Sequence, residues 1–220
     1  MQTMHTVFVA GGTGYIGRPL VARLVERGHK VRAHARRGSE HNVPSGAEVV
    51  VGDVLDSGSF ARLIPPATTF VHLVGTPHPG PLKAAQFRSV DLASAKAAAD
   101  AAAEAGVVHF VYVSVARPAP VMRAYQAARA EGERYILSRG LNASFVRPWY
   151  VVGEGHQWAR ALAPMYWLAE RVPATRDGAL RCGLVTHTQM VHALVAAVEN
   201  PVLGVRAIGV PDIRRAILND

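Results

Sequence analysis

Short hydrophobic runs alternate with longer amphipathic segments along residues 6–147 of the chain. Most of the short runs are apolar at successive positions, which is typical of strands buried on both faces of a parallel sheet. The pattern predicts six strands, at Thr6–Ala10, Lys30–Ala35, Glu48–Val51, Thr69–Val74, Val108–Ser114 and Ser144–Arg147.

The segments between these runs show helical periodicity, and several end at a glycine, which favours termination of a helix. They predict helices at Arg18–Arg27, Gln86–Ala105 and Val121–Arg139, followed by Gly28, Gly106 and Gly140. Alternating strands and helices indicate an α/β fold with a doubly wound parallel sheet flanked by helices. No repeat or Pro/Gly/Ser-rich linker divides the chain, so we interpret residues 1–220 as a single domain.

Aromatic and proline residues cluster after Pro148, where the earlier alternation ends. We expect residues 149–187 to contribute most of a small cap over the carboxyl edge of the sheet, where ligands of such folds bind. Trp158, Tyr166 and Trp167 are candidates for an aromatic substrate pocket, although aromatic residues near helical spacing are also typical of a core.

The first predicted strand ends in a glycine-rich turn, and an amphipathic helix begins directly after it. The glycines at positions 11, 14 and 17 permit a sharp turn, the approach of a pyrophosphate and close packing of helix on strand. The helix N-terminus adds free N–H groups and a partial positive charge. This context predicts a dinucleotide site formed by Gly11, Gly12, Thr13, Gly14, Tyr15 and Ile16.

The residues at the end of the second predicted strand indicate whether the site prefers NAD(H) or NADP(H). NAD sites usually carry an acidic residue there, bound to the ribose 2′-hydroxyl, but no carboxylate lies between Glu26 and Glu40. Arg36 and Arg37 lie there instead, and guanidinium groups suit a 2′-phosphate through charge and forked hydrogen bonds. The sequence therefore favours NADP(H) over NAD(H), with two solvated loop arginines as the alternative.

Two further segments end strands at the same predicted edge. Asp53 and Val54 follow the third strand, where a carboxylate can accept a hydrogen bond from the adenine amino group. The alternative is that Asp53 caps a helix from Asp56. Val74 and Gly75 end the fourth strand, and the glycine lets the backbone approach the adenosine ribose.

Composition narrows the classes of function. With 50% hydrophobic and 18% charged residues the chain does not resemble a disordered protein. The net charge of +8 raises nucleic acid as a partner, but the arginines are scattered and form no basic tail, which argues against it. The histidines form no close ligand set in sequence, so we expect no metal site.

The expected compartment follows from the cysteine content and the apolar runs. Cys182 is the only cysteine, which fits a reducing compartment. No apolar run reaches the roughly 18–20 residues that span a bilayer, and we find no secretory signal. We therefore expect a cytoplasmic protein without a membrane span that acts on a small molecule.

Taken in order, the motifs resemble the short-chain dehydrogenase/reductase superfamily, specifically its atypical branch related to extended epimerase/dehydratases and NmrA-like proteins. The resemblance covers nearly the whole chain and rests on the Gly11–Gly17 turn, Gly52-Asp53-Val54, His72-Leu73-Val74-Gly75, Val90-Asp91-Leu92, Phe110–Ser114, Val146–Gly153 and Leu184–Pro201. It implies a Rossmann fold and a nicotinamide dinucleotide. Family members often pair through the helices flanking the fifth strand, so it is also compatible with a homodimer.

The resemblance also implies three catalytic candidates. Family enzymes commonly use a serine or threonine after the fifth strand, and a tyrosine with a lysine four residues later. Ser114 matches the first position, and Tyr125 matches the second. Arg129 replaces the lysine, and it can supply charge and hold a ribose but cannot relay a proton as a lysine can. The alternatives are that Tyr125 packs under the cap, that Arg129 faces solvent and that Ser114 only finishes a strand by hydrogen-bonding the backbone.

Two functions are compatible with these residues. The first is an NADP(H)-dependent oxidoreductase that reduces a small carbonyl or quinone-like substrate by hydride transfer. The second is a non-catalytic NADP(H)-binding sensor of the NmrA-like type, which the arginine at position 129 and the short cap favour.

Overall fold

The computed structural model describes residues 3–153 and 161–217. Its strands are β1 (Thr6–Ala10), β2 (Lys30–Ala35), β3 (Glu48–Val51), β4 (Thr69–His72), β5 (His109–Val113), β6 (Asn142–Val146), β7 (Tyr150–Val152), β8 (Leu184–Thr186) and β9 (Val205–Ile208). Its α-helices are α1 (Gly17–Glu26), α2 (Ala84–Gln86), α3 (Ala93–Glu104), α4 (Arg123–Ser138), α5 (Ala163–Ala169), α6 (Pro173–Arg181), α7 (His187–Glu199) and α8 (Val210–Arg215).

Seven strands form one parallel sheet in the order β3-β2-β1-β4-β5-β6-β9. The chain order reverses direction between β1 and β4, so the carboxyl ends of these two strands open a crevice in which such folds bind ligands. The predicted doubly wound α/β fold is confirmed. β7 and β8 form a separate parallel pair.

Each face of the sheet is covered by helices, because successive residues of a strand point to opposite faces. Val7 and Val9 belong to a core cluster that includes Leu20 of α1 and Leu194 of α7. Phe8 and Ala10 of the same strand belong to a second cluster on the other face, with the alanines of α3. This double burial explains the nearly continuous hydrophobic runs of the sequence.

The predicted element bounds are close to those observed. β1, β2 and β3 have the predicted bounds, whereas β4 ends two residues earlier than predicted and β5 is one residue shorter at each end. β6 lies at Asn142–Val146 rather than Ser144–Arg147. The helix predicted at Gln86–Ala105 contains a wider π-helical segment, Phe87–Leu92, between α2 and α3.

The C-terminal third adds elements that the hydrophobic pattern did not predict. β7, α5 and α6 fall within the segment 149–187, and β9 joins the sheet beside β6. Trp158 lies outside the described residues. Within the described ranges, no helix is long and apolar enough to cross a membrane.

Candidate dinucleotide site and active site

The glycine-rich turn lies at the carboxyl end of β1, at the mouth of the crevice. The Gly11 carbonyl accepts a hydrogen bond from the Gly14 N–H at 3.1 Å, and Gly11 has a φ of +86°, which favours glycine. A Cβ at Gly17 would lie 2.0 Å from the Gly11 oxygen, so α1 approaches the turn more closely than any side chain allows. Gly11 and Gly17 are thus required by the backbone itself.

The turn fits an anionic dinucleotide. Ile16 at the N-cap of α1 contributes no side-chain cap, and the first turn of the helix carries no acidic residue. Within the described residues, the N–H groups of Thr13 and Ile16 bond to no main-chain carbonyl. A pyrophosphate would satisfy such groups at the positive end of the helix. Gly12 is buried against Ala33, and Tyr15 is partly exposed beside His187.

The residues predicted to bind the adenosine half lie around this turn. Arg36 and Arg37 are exposed in the loop after β2. Val54 is buried, whereas Asp53 is exposed and its Oδ1 accepts a hydrogen bond from the Leu55 N–H at 3.0 Å. Asp53 caps no helix, because the short helix that follows is capped by Asp56. The Asp53 carboxylate therefore remains at the surface beside the ends of β2 and β3.

Arg129 of α4 occupies the centre of the candidate active site. Its Nη2 donates to Asp91 Oδ1 at 2.7 Å, and its Nη1 donates to the Val113 carbonyl at 3.0 Å and the Val74 carbonyl at 3.4 Å. Arg129 and Asp91 are both buried. The alternative that Arg129 faces solvent is therefore wrong, and the guanidinium links the ends of β4 and β5.

The charge of Arg129 is maintained despite its burial. Burial alone would lower the pKa of the guanidinium, but its interactions with Tyr125, Tyr112 and Asp91 outweigh this effect and raise the pKa. The guanidinium carbon lies 5.2 Å from the centre of the Tyr125 ring, within the range of a cation–π contact. A fixed positive charge therefore lies against the candidate proton donor.

Tyr125 and the residue before Ser114 both contact this guanidinium. Tyr125 is half-buried, and its ring centre is 5.0 Å from that of Phe87. Ser114 follows Val113, whose carbonyl binds Arg129, and its N–H donates to the Val146 carbonyl at 2.8 Å. The Ser114 Oγ is buried and has no hydrogen-bond partner among the described residues. Thus the backbone of Ser114 finishes the strand, while its hydroxyl remains available.

The loop after β4 is held against the same ion pair. Asp91 Oδ2 accepts hydrogen bonds from the N–H of Thr76 at 3.0 Å and from its hydroxyl at 2.6 Å. A Cβ at Gly75 would lie 2.1 Å from Arg129 Nη2. Glycine at position 75 therefore makes room for the guanidinium. This requirement is additional to the predicted approach of the Gly75 backbone to the adenosine ribose.

Comparison with known proteins assigns the family. Residues 11–161 match a family model described as NAD(P)H-binding. The chain is 30% identical over 213 residues to a ceramide reductase of Caulobacter vibrioides, covering 95% of this chain and 65% of the relative. It is 30% identical over 228 residues to a 3-diazoavenalumate denitrifying reductase of a Streptomyces species, covering 90% and 73%. The chain belongs to this NAD(P)H-binding family.

Structural similarity confirms the fold. The Bordetella bronchiseptica enzyme WbmH, solved in complex with NAD+, superposes with a TM-score of 0.69 at 20% identity, covering 94% of this chain and 76% of that one. The predicted membership of the short-chain dehydrogenase/reductase superfamily is confirmed. Its relatives are reductases of the extended kind, and the chain spans less than two thirds of the Caulobacter enzyme.

The described aromatic residues Trp149, Tyr166 and Trp167 separate into two groups. The Tyr166 hydroxyl oxygen accepts a hydrogen bond from the Trp149 side chain, and burial raises the pKa of Tyr166. Trp167 is 58% exposed and stacks with Arg171, whose guanidinium carbon lies 3.5 Å from the ring centre. Tyr166 therefore pairs with Trp149 rather than with Trp167 as one aromatic surface.

Asp91 and Glu133 are charged residues of the site for which the sequence predicts no role. Asp91 was part of a family motif, but its partner is 38 positions away in sequence and only the fold joins them. Glu133 is buried and binds both Arg117 and Arg147. The available signal was helical spacing, since Glu133 lies one turn after Arg129 on the same face of α4.

Proposed function

We propose that this protein is an NADP(H)-dependent oxidoreductase that reduces a small carbonyl or quinone-like substrate. The observation that supports this best is the convergence of the three catalytic candidates. Arg129 binds the carbonyl of the residue before Ser114 and lies against the ring of Tyr125, at the carboxyl ends of β4 and β5. This is the edge at which α/β folds of this type act on ligands.

Each residue has a distinct role in this proposal. The bound dinucleotide supplies a hydride from its nicotinamide ring. The unpartnered hydroxyl of Ser114 donates a hydrogen bond to the carbonyl oxygen of the substrate. Tyr125 donates the proton that completes the alcohol. Arg129 holds a positive charge that favours the phenolate left on Tyr125. For a quinone substrate solvent can supply the proton, and Tyr125 then matters less.

The role of Arg129 is positional in this scheme. The sequence motif assigns the cation to the nicotinamide ribose, but both terminal nitrogens of Arg129 already bind protein oxygens. We therefore propose that Arg129 acts through the loop after β4 and through Tyr125, and contacts the ribose at most through its Nε. That Nε is buried and has no partner among the described residues.

The preference for NADP(H) rests on the exposed arginines after β2. Arg36 and Arg37 have no hydrogen bond or ion pair from their side chains to the described residues. A 2′-phosphate beside the end of β2 would give these two charges a partner.

We further propose that the protein is cytoplasmic, that residues 149–187 cap the substrate, and that a homodimer forms through α3 and α4.

A non-catalytic NADP(H) sensor is the second candidate. It is favoured by the engagement of Arg129 with Asp91, which leaves the site without the freely placed lysine of the superfamily pattern. Such a sensor would bind the dinucleotide and signal through a protein partner. Reduction of any acceptor by the bound dinucleotide distinguishes the oxidoreductase from the sensor.

One set of measurements tests both candidates. NADPH and NADH are titrated by calorimetry, and NADPH oxidation is then followed with a panel of quinones and aldehydes. We expect tighter binding of NADPH and turnover of at least one acceptor. Binding without turnover on the whole panel would favour the sensor, equal binding of both dinucleotides would overturn the NADP(H) preference, and binding of neither would overturn both functions.

Two variants assign the roles. Tyr125→Phe is expected to lower kcat for an aldehyde by roughly 100-fold, the usual size of a general-acid contribution, with NADPH binding unchanged. Tyr135→Phe, on the same helix with its hydroxyl bound to Asp100, is the matched control.

The double variant Arg36→Gln/Arg37→Gln tests the preference for NADP(H). We expect it to weaken the binding of NADPH about tenfold, as for a lost charged hydrogen bond, and to leave the binding of NADH unchanged.

A further inference from the structure

A cavity of about 350 Å³ lies between α6 and the segments that follow β5, β6 and β9. Three arginines line it, one from each of three separate segments: Arg117, Arg147 and Arg181. Asp177 also lines it, and the apolar side chains of Leu180 and Val210 form part of its wall. Three guanidinium groups around one small cavity concentrate positive charge there.

The arginines are held in place by the protein. Glu133 accepts hydrogen bonds from Arg147 Nε at 2.8 Å and Nη2 at 2.6 Å, and it also binds Arg117 Nη2. Its side chain is only 4% exposed, so this carboxylate forms the floor of the cluster. Arg181 Nε donates to the Pro118 carbonyl at 2.9 Å. The positive groups are therefore pre-arranged, which reduces the entropy cost of binding an anion.

The charges do not balance within the described residues. Glu133 binds two of the three guanidinium groups and Asp177 adds a second carboxylate to the lining, so three positive charges face two negative ones. The Arg117 Nε is also buried without a hydrogen-bond partner among the described residues. A buried donor of this kind is costly unless a ligand or solvent satisfies it. One monovalent anion would balance the charge and supply the missing acceptor.

We propose that this cavity binds the carboxylate of the substrate. This inference rests on the proposed reductase function. Arg117 lies three residues after Ser114, so their Cα atoms are at most about 11 Å apart. A molecule with its carbonyl at Ser114 and its carboxylate among the arginines therefore needs only a short apolar spacer. The substrate class is a small oxo-acid whose carboxylate and reducible carbonyl are separated by such a spacer.

The test compares 4-formylbenzoate with its methyl ester, which keeps the aldehyde and removes the charge. Direct binding to the NADPH-loaded protein is measured by calorimetry, and NADPH oxidation gives kcat/KM. We expect the acid to bind about tenfold more tightly than the ester, as for one charged hydrogen-bonded contact. Equal affinity of acid and ester would overturn the proposal.

Variants on α6 assign the effect to the cavity. Arg181→Gln is expected to remove most of the preference for the acid and leave the ester within about twofold. Arg176→Gln, an equal charge change on the same helix but not lining the cavity, is the control. Asp177→Asn is expected to act in the opposite direction and tighten the acid. Equal effects of Arg181→Gln and Arg176→Gln would show a general charge effect and overturn the assignment.

Inorganic phosphate distinguishes the kind of anion. Tighter binding of phosphate than of 4-formylbenzoate, abolished in Arg181→Gln, would overturn the carboxylate assignment in favour of a phosphoryl ligand. If neither aldehyde is reduced, the proposed reductase function fails on these substrates. The calorimetric comparison of acid and ester would still decide whether the cavity is a carboxylate site.

Discussion

At the scale of single residues, Arg129 shows how one substitution alters the meaning of a family pattern. A lysine at this position presents one compact ammonium group, whereas a guanidinium forks toward several oxygens and stays protonated. Here the fork joins Asp91, Val74 and Val113. Position 129 consequently ties together two strand ends and lies against the Tyr125 ring. In the proposed mechanism it is a positioning residue in a place where the superfamily pattern has a lysine.

Removal of the Asp91 charge tests this role. Asp91→Asn leaves an acceptor for Thr76 but strips the buried guanidinium of its counter-charge, so we expect a loss of about 3–5 kcal/mol in unfolding free energy. Asp100→Asn on α3 is the matched control, because its ion pair with Arg139 is largely exposed and is worth at most about 1 kcal/mol. Urea denaturation measures both. Similar losses in the two variants would contradict a special role for Asp91.

At the scale of elements, the closest backbone contact of the site lies between β1 and α1. A Cβ at position 17 would meet the Gly11 oxygen at 2.0 Å and the Gly11 carbonyl carbon at 2.9 Å. Gly17→Ala is therefore expected to force the turn open, to cost at least ~2–3 kcal/mol of stability and to abolish calorimetric binding of NADPH. Gly178→Ala in α6, where a Cβ meets nothing within 4 Å, is expected to stabilise by about 0.4–1 kcal/mol. Retained NADPH binding in Gly17→Ala would disprove the close-approach explanation.

Some strands and helices can be predicted from the sequence, and others cannot. Strands β1–β3 follow from hydrophobic runs with polar flanks, and the helix ends follow from Gly28, Gly106 and Gly140, which have φ of 70–83°. β9 was not predicted, because it is short and half-exposed, so its side chains lack a hydrophobic pattern. The π-helical segment before α3 leaves no periodic signature either, although Asp91 lies in it.

Long-range pairing limits what a sequence can show of the site. The glycine turn is local, so its geometry follows from neighbouring residues. By contrast, the Asp91–Arg129 pair and the Glu133–Arg147 pair depend on how α4 packs against its neighbours. Tyr125 and Arg129 share a helix face, and the family pattern together with their spacing of four residues identified them as candidates. Their partners required the tertiary fold.

At the scale of the whole molecule, buried histidines couple stability to pH. Burial, reinforced by the charge of Arg129, lowers the pKa of His72 to about 3, and burial lowers that of His109 to about 4. Both stay neutral in the folded protein below pH 6.5, while the unfolded chain takes up protons. Stability is therefore complete above about pH 6.5 and falls as the pH drops toward 4, by up to ~1.4 kcal/mol per pH unit for each histidine.

Denaturation at several pH values checks this expectation. The slope of unfolding free energy between pH 6.5 and 4.5 is expected to decrease in His72→Gln, because one of the contributing histidines no longer titrates. The exposed His41, changed to glutamine, is the matched control. An unchanged slope in His72→Gln would show that other groups govern the acid response. The slope is the informative quantity, since the substitution also alters packing at every pH.

The contact between Gly75 and Arg129 couples the residues that these two positions can accept. The guanidinium occupies the space that any side chain at position 75 would need, with Arg129 Nη2 only 2.1 Å from a Cβ built there. A side chain at position 75 would displace the guanidinium from Asp91, so its cost depends on the length and shape of the residue at position 129. Substitutions at the two positions are therefore not additive.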